Sequence, residues 1–281
     1  MNGAHALLLS RPYNFVASNT SLIVGLGFII LLLVLAFVEP FSDPLQPNPA
    51  AVLVPPSSTH WLGTEQNGFD LFSRIIAAAR VDVPIALGGA VLAGIVGVPL
   101  GIAASKNGRI SGVFMRLLDL FQSLPMVVVA LTVVALSGGG ILNLLIAIAI
   151  VNMASFIRIA RAEAMSVRTH RFIEAVHAMG ANESWVSFRH VLPNILPVVF
   201  AELSLASGHS LLTIAGLGFL GVGVSPTTPS WGVMLNNGAQ FLATGQWWAL
   251  IFPIVAIVLS VLAFNAVARG LARVLDRSAV N

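Results

Sequence analysis

Lys106 is the only lysine in this 281-residue chain, and it stands between Ser105 and Asn107. A nucleotide-holding P-loop needs its lysine after glycine and before serine or threonine, where the ammonium and the loop N–H groups hold the phosphates. No such motif occurs, so if ATP drives this protein another subunit must hydrolyse it. The six histidines, His5, His60, His170, His177, His190 and His209, offer no pair at i, i+4 of the kind that holds zinc on a helix. There is no serine nucleophile elbow and no pair of catalytic carboxylates. Cysteine is absent, which removes disulfides and thiolate metal sites. No catalytic residue, metal ligand or bound cofactor is expected in this chain.

Glu202 is the carboxylate with most to explain. It follows Pro193 by nine residues in an otherwise uncharged stretch, which at about 1.5 Å per residue puts it roughly 13 Å into a helix that starts there. A charge near the middle of a membrane helix costs about 2.5 to 3.5 kcal/mol. Two readings fit. Glu202 faces a pore or a partner subunit, or it is neutral or near the inner interface with a local hydrogen bond. His209, seven residues on, shares its helix face and either lines a pore or is a buried, hydrogen-bonded histidine. An ion-coupled transporter centred on Glu202 is the rival class, but one carboxylate without a pair of broken helices or a visible inverted repeat gives it little.

The elements that must position these residues follow from composition. Hydrophobic residues make up 57% of the chain and charged residues 9%, against roughly 25% charged in soluble domains. The solvent must be lipid. Predominantly apolar stretches long enough for a hydrocarbon core of about 30 Å, roughly 17 to 25 helical residues, run over 21–38, 84–104, 116–136, 141–159, 194–222 and 247–268. Runs such as Ile29 to Leu35 are apolar on every side, which suits helices and not the alternation of a barrel. The predicted fold is all-α and integral to the membrane, with six spans. The first span is too long for a signal-peptide core and no small-residue cleavage site follows it before Glu39 and Pro40, so it is expected to remain as an anchor.

Orientation follows the basic residues. With both termini cytoplasmic, Arg11, Lys106, Arg109, Arg116, Arg158, Arg161, Arg168, Arg171, Arg189, Arg269, Arg273 and Arg277 lie inside and only Arg74 and Arg80 outside. These flanks account for the net charge of +3, and no nucleic-acid partner is needed. The expected organisation is an anchor helix (about 21–38) and extracytoplasmic segment over 1–83, a membrane domain over 84–273 and a cytoplasmic tail over 274–281.

Two loops are informative. Between the first two spans, Pro40, Pro44, Pro47, Pro49, Pro55 and Pro56 predict irregular backbone. Asp70 then caps a short helix with Leu71, Phe72, Ile75, Ile76 and Ala79 on one face, expected to lie on the outer membrane surface. Trp247 and Trp248 open the sixth span at headgroup level on the same side. Within the second span, Ala93, Gly97 and Gly101 recur every four residues and predict close approach of another helix, as in subunit assembly.

The cytoplasmic loop of about 161–193 is the longest on its side and rich in ionisable residues. Phe172, Ala175, Val176 and Met179 form an apolar stripe at i, i+3, i+4 and i+7. Gly180 suits a left-handed cap. Asn182 caps a second helix bearing Trp185, Phe188 and Leu192, and Pro193 closes it. Two such helices form a projecting lever. The stripe fits either a groove on a cytoplasmic partner or the inner headgroup layer, since both demand the same spacing.

The residues here resemble a known family. Glu174-Ala175-Val176-His177-Ala178-Met179-Gly180, followed by Val191-Leu192-Pro193, is similar to the EAA loop of ABC importer permeases. His60 to Glu65 with Asp70 to Arg74, Gly218 to Gly223 with Pro226 to Gly232, and Leu262 to Asn265 resemble the dipeptide, oligopeptide and nickel permeases, specifically the second permease of each pair. The departures are Val176, where the motif has its second alanine, and Phe69, where the family has arginine. The resemblance implies a type I importer permease fold in a bacterial plasma membrane. It implies that Phe172, Glu174, Ala175, Val176, Met179, Gly180, Trp185 and Phe188 form a coupling helix seated on an ATPase. The implied partners are a homologous second permease, two cytoplasmic ABC ATPases that bind ATP and Mg²⁺, and an extracytoplasmic solute-binding protein. The cargo implied is a di- or oligopeptide, with nickel or another small solute as the alternative.

Overall fold

The computed structural model describes residues 20–37, 43–106, 108–225 and 227–280, with side chains described as far as Arg273. His5, Arg11, Val38, Glu39, Pro40, Asn107, Pro226 and the Arg277 side chain lie outside the described residues. Among the described residues the longer elements are helices: α1 (Thr20–Phe37), α2 (Leu71–Ala104), α3 (Arg109–Gln122), α4 (Met126–Ser137), α5 (Ile141–Arg168), α6 (Arg171–Ala178), α7 (Glu183–Val186), α8 (Leu192–Phe219), α9 (Trp231–Ala239) and α10 (Trp248–Val280). Four helices among the described residues are long and apolar enough to cross a bilayer: α2, α5, the stretch Glu183–Phe219 and Trp248–Arg273. The pair α3 and α4 makes a fifth, bent by 84°, and α1 is a shorter apolar helix.

Three expectations about these elements change. The stretch 116–136 is not one straight span. It breaks at Ser123, whose N–H reaches back to the Asp119 and Leu120 carbonyls, and at Leu124, whose N–H reaches the Phe121 carbonyl, just before Pro125, which lacks an N–H and disfavours helix in the residue before it. Before the break, Phe114, Met115, Leu118 and Phe121 pack α3 on Ala154 and Ile157 of α5.

The segment after Asp70 is not a separate helix on the outer surface. It is the start of α2, which runs on through Pro84 without interruption. Asp70 does cap it, its Oδ2 accepting from the Ser73 amide at 2.9 Å. Ser73 and Arg74, which lie off the predicted apolar face, are as buried as Leu71, Ile75 and Ala78. Arg74 is absorbed because Glu65 lies opposite it, 2.8 Å from its Nε.

The small-residue stripe of α2 is used within the chain. A Cβ on Gly97 would sit 2.8 Å from Phe156 Cβ and one on Gly101 2.5 Å from the Ile157 carbonyl, so α2 and α5 touch backbone to backbone. The same device holds α1 on α10, where a Cβ on Gly25 would meet the Ala263 carbonyl at 2.6 Å.

Two cores result. One gathers Leu71, Ile85, Leu144, Leu211 and Leu217 around Trp231. The indole of Trp231 donates to the Ile75 carbonyl at 3.0 Å, and its amide donates to Asp82 Oδ2 at 2.8 Å. Asp82 of α2 thereby supplies an acceptor at the first turn of α9, whose N–H groups have no partner within the helix. The glycines of the stretch 218–232 serve this end of the bundle. Gly221 holds φ +75° after α8 ends, and Gly218 and Gly232 lie so close that neither has room for a side chain. The second core joins Phe156, Ala160 and Ile195 to Ile173, Val176, Val186 and Val191, so the loop between α5 and α8 is built into the bundle and not appended to it.

Candidate functional site

The loop between α5 and α8 folds as the capping residues dictate at its start and departs from expectation at its end. Helix α6 stops at Ala178, Gly180 takes φ +85° with open space around it, and the Asn182 side chain accepts from the Trp185 amide at 2.8 Å. The second helix does not close at Pro193. One wide turn, Ser187–Val191, with the Leu192 amide bonding to the Ser187 carbonyl, carries the chain directly into α8. A π-turn of this kind re-routes the hydrogen bonds that the proline ring and its missing N–H would break. Loop and membrane helix are therefore one continuous rod, Glu183–Phe219.

The predicted apolar stripe divides between two faces. Val176 points inward with Ile173, both buried. Phe172, Glu174, Ala175, Met179, Gly180, Trp185 and Phe188 are exposed, Met179 at 78% and Phe188 at 68%. Met179, Gly180 and Trp185 line one open concavity with Val176 and Asn182. Phe188 lines another with Pro99, Ile102 and Lys106 at the end of α2. His190 sits edge-on between Phe172 and Trp185, with ring centroids 6.1 and 4.9 Å away. Large apolar groups thus stand exposed together on a rigid base, rimmed by Glu174 and Asn182, an apolar patch of the kind that a partner or a lipid surface covers.

The base is held by charges, three of them the basic residues Lys106, Arg161 and Arg168 that the sequence placed only by topology. The Arg168 guanidinium donates through Nη1 to Glu183 Oε2 at 3.0 Å, through Nη2 to Ser187 Oγ at 2.9 Å and through Nε to Ser105 Oγ at 3.0 Å. His177 Nε2 lies 3.3 Å from Glu183 Oε1 and Lys106 Nζ 3.7 Å from Glu183 Oε2. Arg161 Nε adds a bond to the Ala104 carbonyl at 3.0 Å. The only signal in sequence was the density of ionisable residues in this loop.

Glu202 is buried in α8, 9% exposed, and its Oε1 accepts from the Ser155 hydroxyl of α5. Two turns on, Asn152 Nδ2 donates to Ser210 Oγ at 3.0 Å and to the Ile148 carbonyl at 2.8 Å. The two helices thus share a polar seam. His209 is not brought to Glu202. It is exposed on the outside of α8, so Glu202 and His209 do not share one environment.

On the opposite side of the bundle, Thr64 organises the loop before α2. Its hydroxyl accepts from the Val54 amide at 2.8 Å, and its carbonyl accepts from the Trp248 indole at 3.2 Å. Burial pushes the neighbouring Glu65 carboxyl up from its ordinary value, with Arg74 and then Asn237 pulling it back. Phe69, the departure from the family pattern, lies under the Arg74 guanidinium at 4.4 Å from ring centroid to Cζ, a cation–π contact.

Residues 97–281 match the family described as binding-protein-dependent transport system inner membrane component. Similar curated proteins include the dipeptide transport system permease protein DppC of Alkalihalophilus pseudofirmus, 37% identical over 92% of this chain and 86% of the relative. The di/tripeptide transport system permease protein DppC of Pseudomonas aeruginosa is 35% identical over 92% and 89%, and the glutathione transport system permease protein GsiD of Pectobacterium atrosepticum 34% identical over 93% and 88%. Among solved structures, the inward-facing MetNI methionine ABC transporter matches with a TM-score of 0.57 over 72% of this chain and 97% of that one, at 15% identity, a likeness of fold. The chain belongs to the binding-protein-dependent transport system inner membrane component family, as a multi-pass membrane protein with the all-helical type I permease fold.

Proposed function

We propose that this chain is the channel-forming permease subunit of an ATP-driven importer of di- or oligopeptides in a bacterial plasma membrane. The observation that carries this reading is the loop's division of faces: Ile173 and Val176 lock it into the bundle while Phe172, Met179, Trp185 and Phe188 stand exposed. A cytoplasmic ATPase offering an apolar cleft would bury those side chains. The exposed set is the anchor pattern by which an amphipathic helix seats in a groove. Two ATPases with ATP and Mg²⁺, a homologous second permease and an extracytoplasmic binding protein complete the machine, and both termini lie in the cytoplasm.

Peptide cargo is supported by the names of the relatives, which include dipeptide, di/tripeptide and glutathione systems. Closure of the two ATPases on ATP would move the loops, and the rods Glu183–Phe219 would carry that motion into the membrane, opening the cavity first outward and then inward. The chain itself performs no bond chemistry in this scheme. Its work is to convert motion at the loop into access across the bilayer.

The test is uptake of labelled peptide into liposomes holding this chain with its neighbouring gene products, omitting one component at a time. Uptake that needs ATP, the ATPase and the binding protein is the expected result. Movement of solute by the chain alone on a proton gradient would overturn the reading and move Glu202 to the centre of the mechanism.

A further inference from the structure

We infer that Arg168 is the positioning residue through which displacement of the cytoplasmic loop reaches α2 as well as α8. This rests on the importer reading above. Arg168 is the last residue of α5. Its three guanidinium nitrogens go to three different places: Ser105 at the end of α2, Glu183 at the start of the second loop helix, and Ser187 at the start of the wide turn that feeds α8. The side chain is 15% exposed, so water competes weakly for these bonds.

Each contact falls at a mechanically significant point. Ser105 is the residue that caps α2, and its own hydroxyl donates to the Ile102 carbonyl at 2.7 Å. Holding Ser105 therefore holds the last turn of a helix that spans the bundle. Ser187 opens the turn whose hydrogen bonds are already shifted to accommodate Pro193, the place where the rod Glu183–Phe219 is least constrained by its own ladder. Glu183 is shared with His177 of α6, which ties the exposed helix of the loop to the same cation.

A force on Met179 or Trp185 thus reaches α2, α5 and α8 through one planar group. Without it, the loop still has its apolar anchors Ile173 and Val176, but among the described residues the links left to α2 are the Lys106 contact to Glu183 at 3.7 Å, the Arg161 bond from α5 to the Ala104 carbonyl and packing. Arginine suits this place because its fork presents donors in three fixed directions, and a lysine ammonium on a flexible stem cannot reproduce them together.

The experiment uses the complete transporter in liposomes, with Arg168→Lys, Arg168→Gln and the milder Ser105→Ala and Ser187→Ala, each assayed for ATP hydrolysis, peptide uptake and retention of the ATPase on the purified permease. The expected result is ATPase retention and hydrolysis near wild type with uptake per ATP reduced about 2- to 30-fold in both Arg168 variants, the range that single residues of a coupling network reach. The serine variants should show smaller losses of the same kind. Equal uptake per ATP in all four variants overturns the inference, as does a fall in hydrolysis and uptake in strict proportion, which would mark Arg168 as a brace for folding only. If Arg168 variants fail to assemble, the serine pair decides: unchanged uptake per ATP in the double Ser105→Ala, Ser187→Ala variant also overturns it. Failure of the importer reading itself looks different, because wild type would then show no ATP-dependent uptake at all.

Discussion

Glu65 and Arg74 form an ion pair at 2.8 Å with both side chains almost wholly buried, 3% and 2% exposed, and the Phe69 ring closes over the guanidinium. Removing one partner strands the other charge away from water, which costs about 3 to 5 kcal/mol. Glu65→Gln and Arg74→Met should each lower the unfolding temperature of the purified protein sharply, and the double variant should recover part of the loss. Because the folded protein holds the Glu65 carboxyl above its ordinary value, the native state binds that proton more tightly than the unfolded chain does. The stability this group contributes is complete below the ordinary carboxylate range and is lost as pH rises through the raised value. Thermal unfolding followed across that window should show a steeper decline for wild type than for Glu65→Gln.

Asp82 offers a second long-range test, since its Oδ2 accepts the Trp231 amide across 149 residues of sequence. Asp82→Ala leaves that buried N–H without an acceptor, a loss of about 1 to 3 kcal/mol. Asp82→Asn keeps an oxygen in place and should be the milder change. The two variants should rank in that order in detergent melts, and Asp82→Ala should expose Trp231 to fluorescence quenchers.

The glycine contacts separate packing from propensity. A Cβ on Gly101 meets the Ile157 carbonyl at 2.5 Å and Ala160 Cβ at 2.8 Å, whereas one on Gly27 meets nothing within 4 Å. Gly101→Ala should force α2 from α5 and cost about 1 to 3 kcal/mol, while Gly27→Ala in α1 should be neutral or slightly stabilising. Equal melts for the two would mean that α2 and α5 are not held this closely.

Much of this arrangement was readable from residue types. Spans, the Asp70 and Asn182 caps and the glycine after α6 follow from local rules, because each depends on neighbours within one or two turns. What escaped was set by distant partners. Arg74 looked like the polar face of a surface helix until Glu65 met it. Arg168 looked like a charge at a membrane flank, and nothing nearby in sequence announces Ser105 as its partner, 63 residues away. The break before Pro125 is marked by the proline itself, inside a stretch read as one span. Pro193 was signalled too, and misled, because the wide turn before it lets the helix continue.

The loop surface gives the prediction on which the importer reading depends most. Phe172, Met179, Trp185 and Phe188 are 43%, 78%, 50% and 68% exposed, so truncating them removes little packing in the isolated chain, and each should shift stability by no more than about 0.5 kcal/mol. Val176 is the contrast: it is 8% exposed, and Val176→Ser would put a hydroxyl into the cluster around Phe156 and Ile195. If a cytoplasmic ATPase seats on the exposed side chains, alanine at Met179, Trp185 or Phe188 should weaken its binding by about 2 kcal/mol or more at the best anchor, roughly 30-fold. Val176→Ser should act through stability first. Gly180 divides the cases further, because space around it is open and its φ is +85°. Gly180→Val therefore suffers only from backbone strain, about 1 to 2 kcal/mol, and Gly180→Asn, which tolerates that conformation, should be milder. Binding of the purified ATPase to permease in nanodiscs, measured beside a melt of each variant, separates these effects. Anchors that lose binding without losing stability are what a docking surface requires, and anchors that lose neither would place the stripe in the headgroup layer instead.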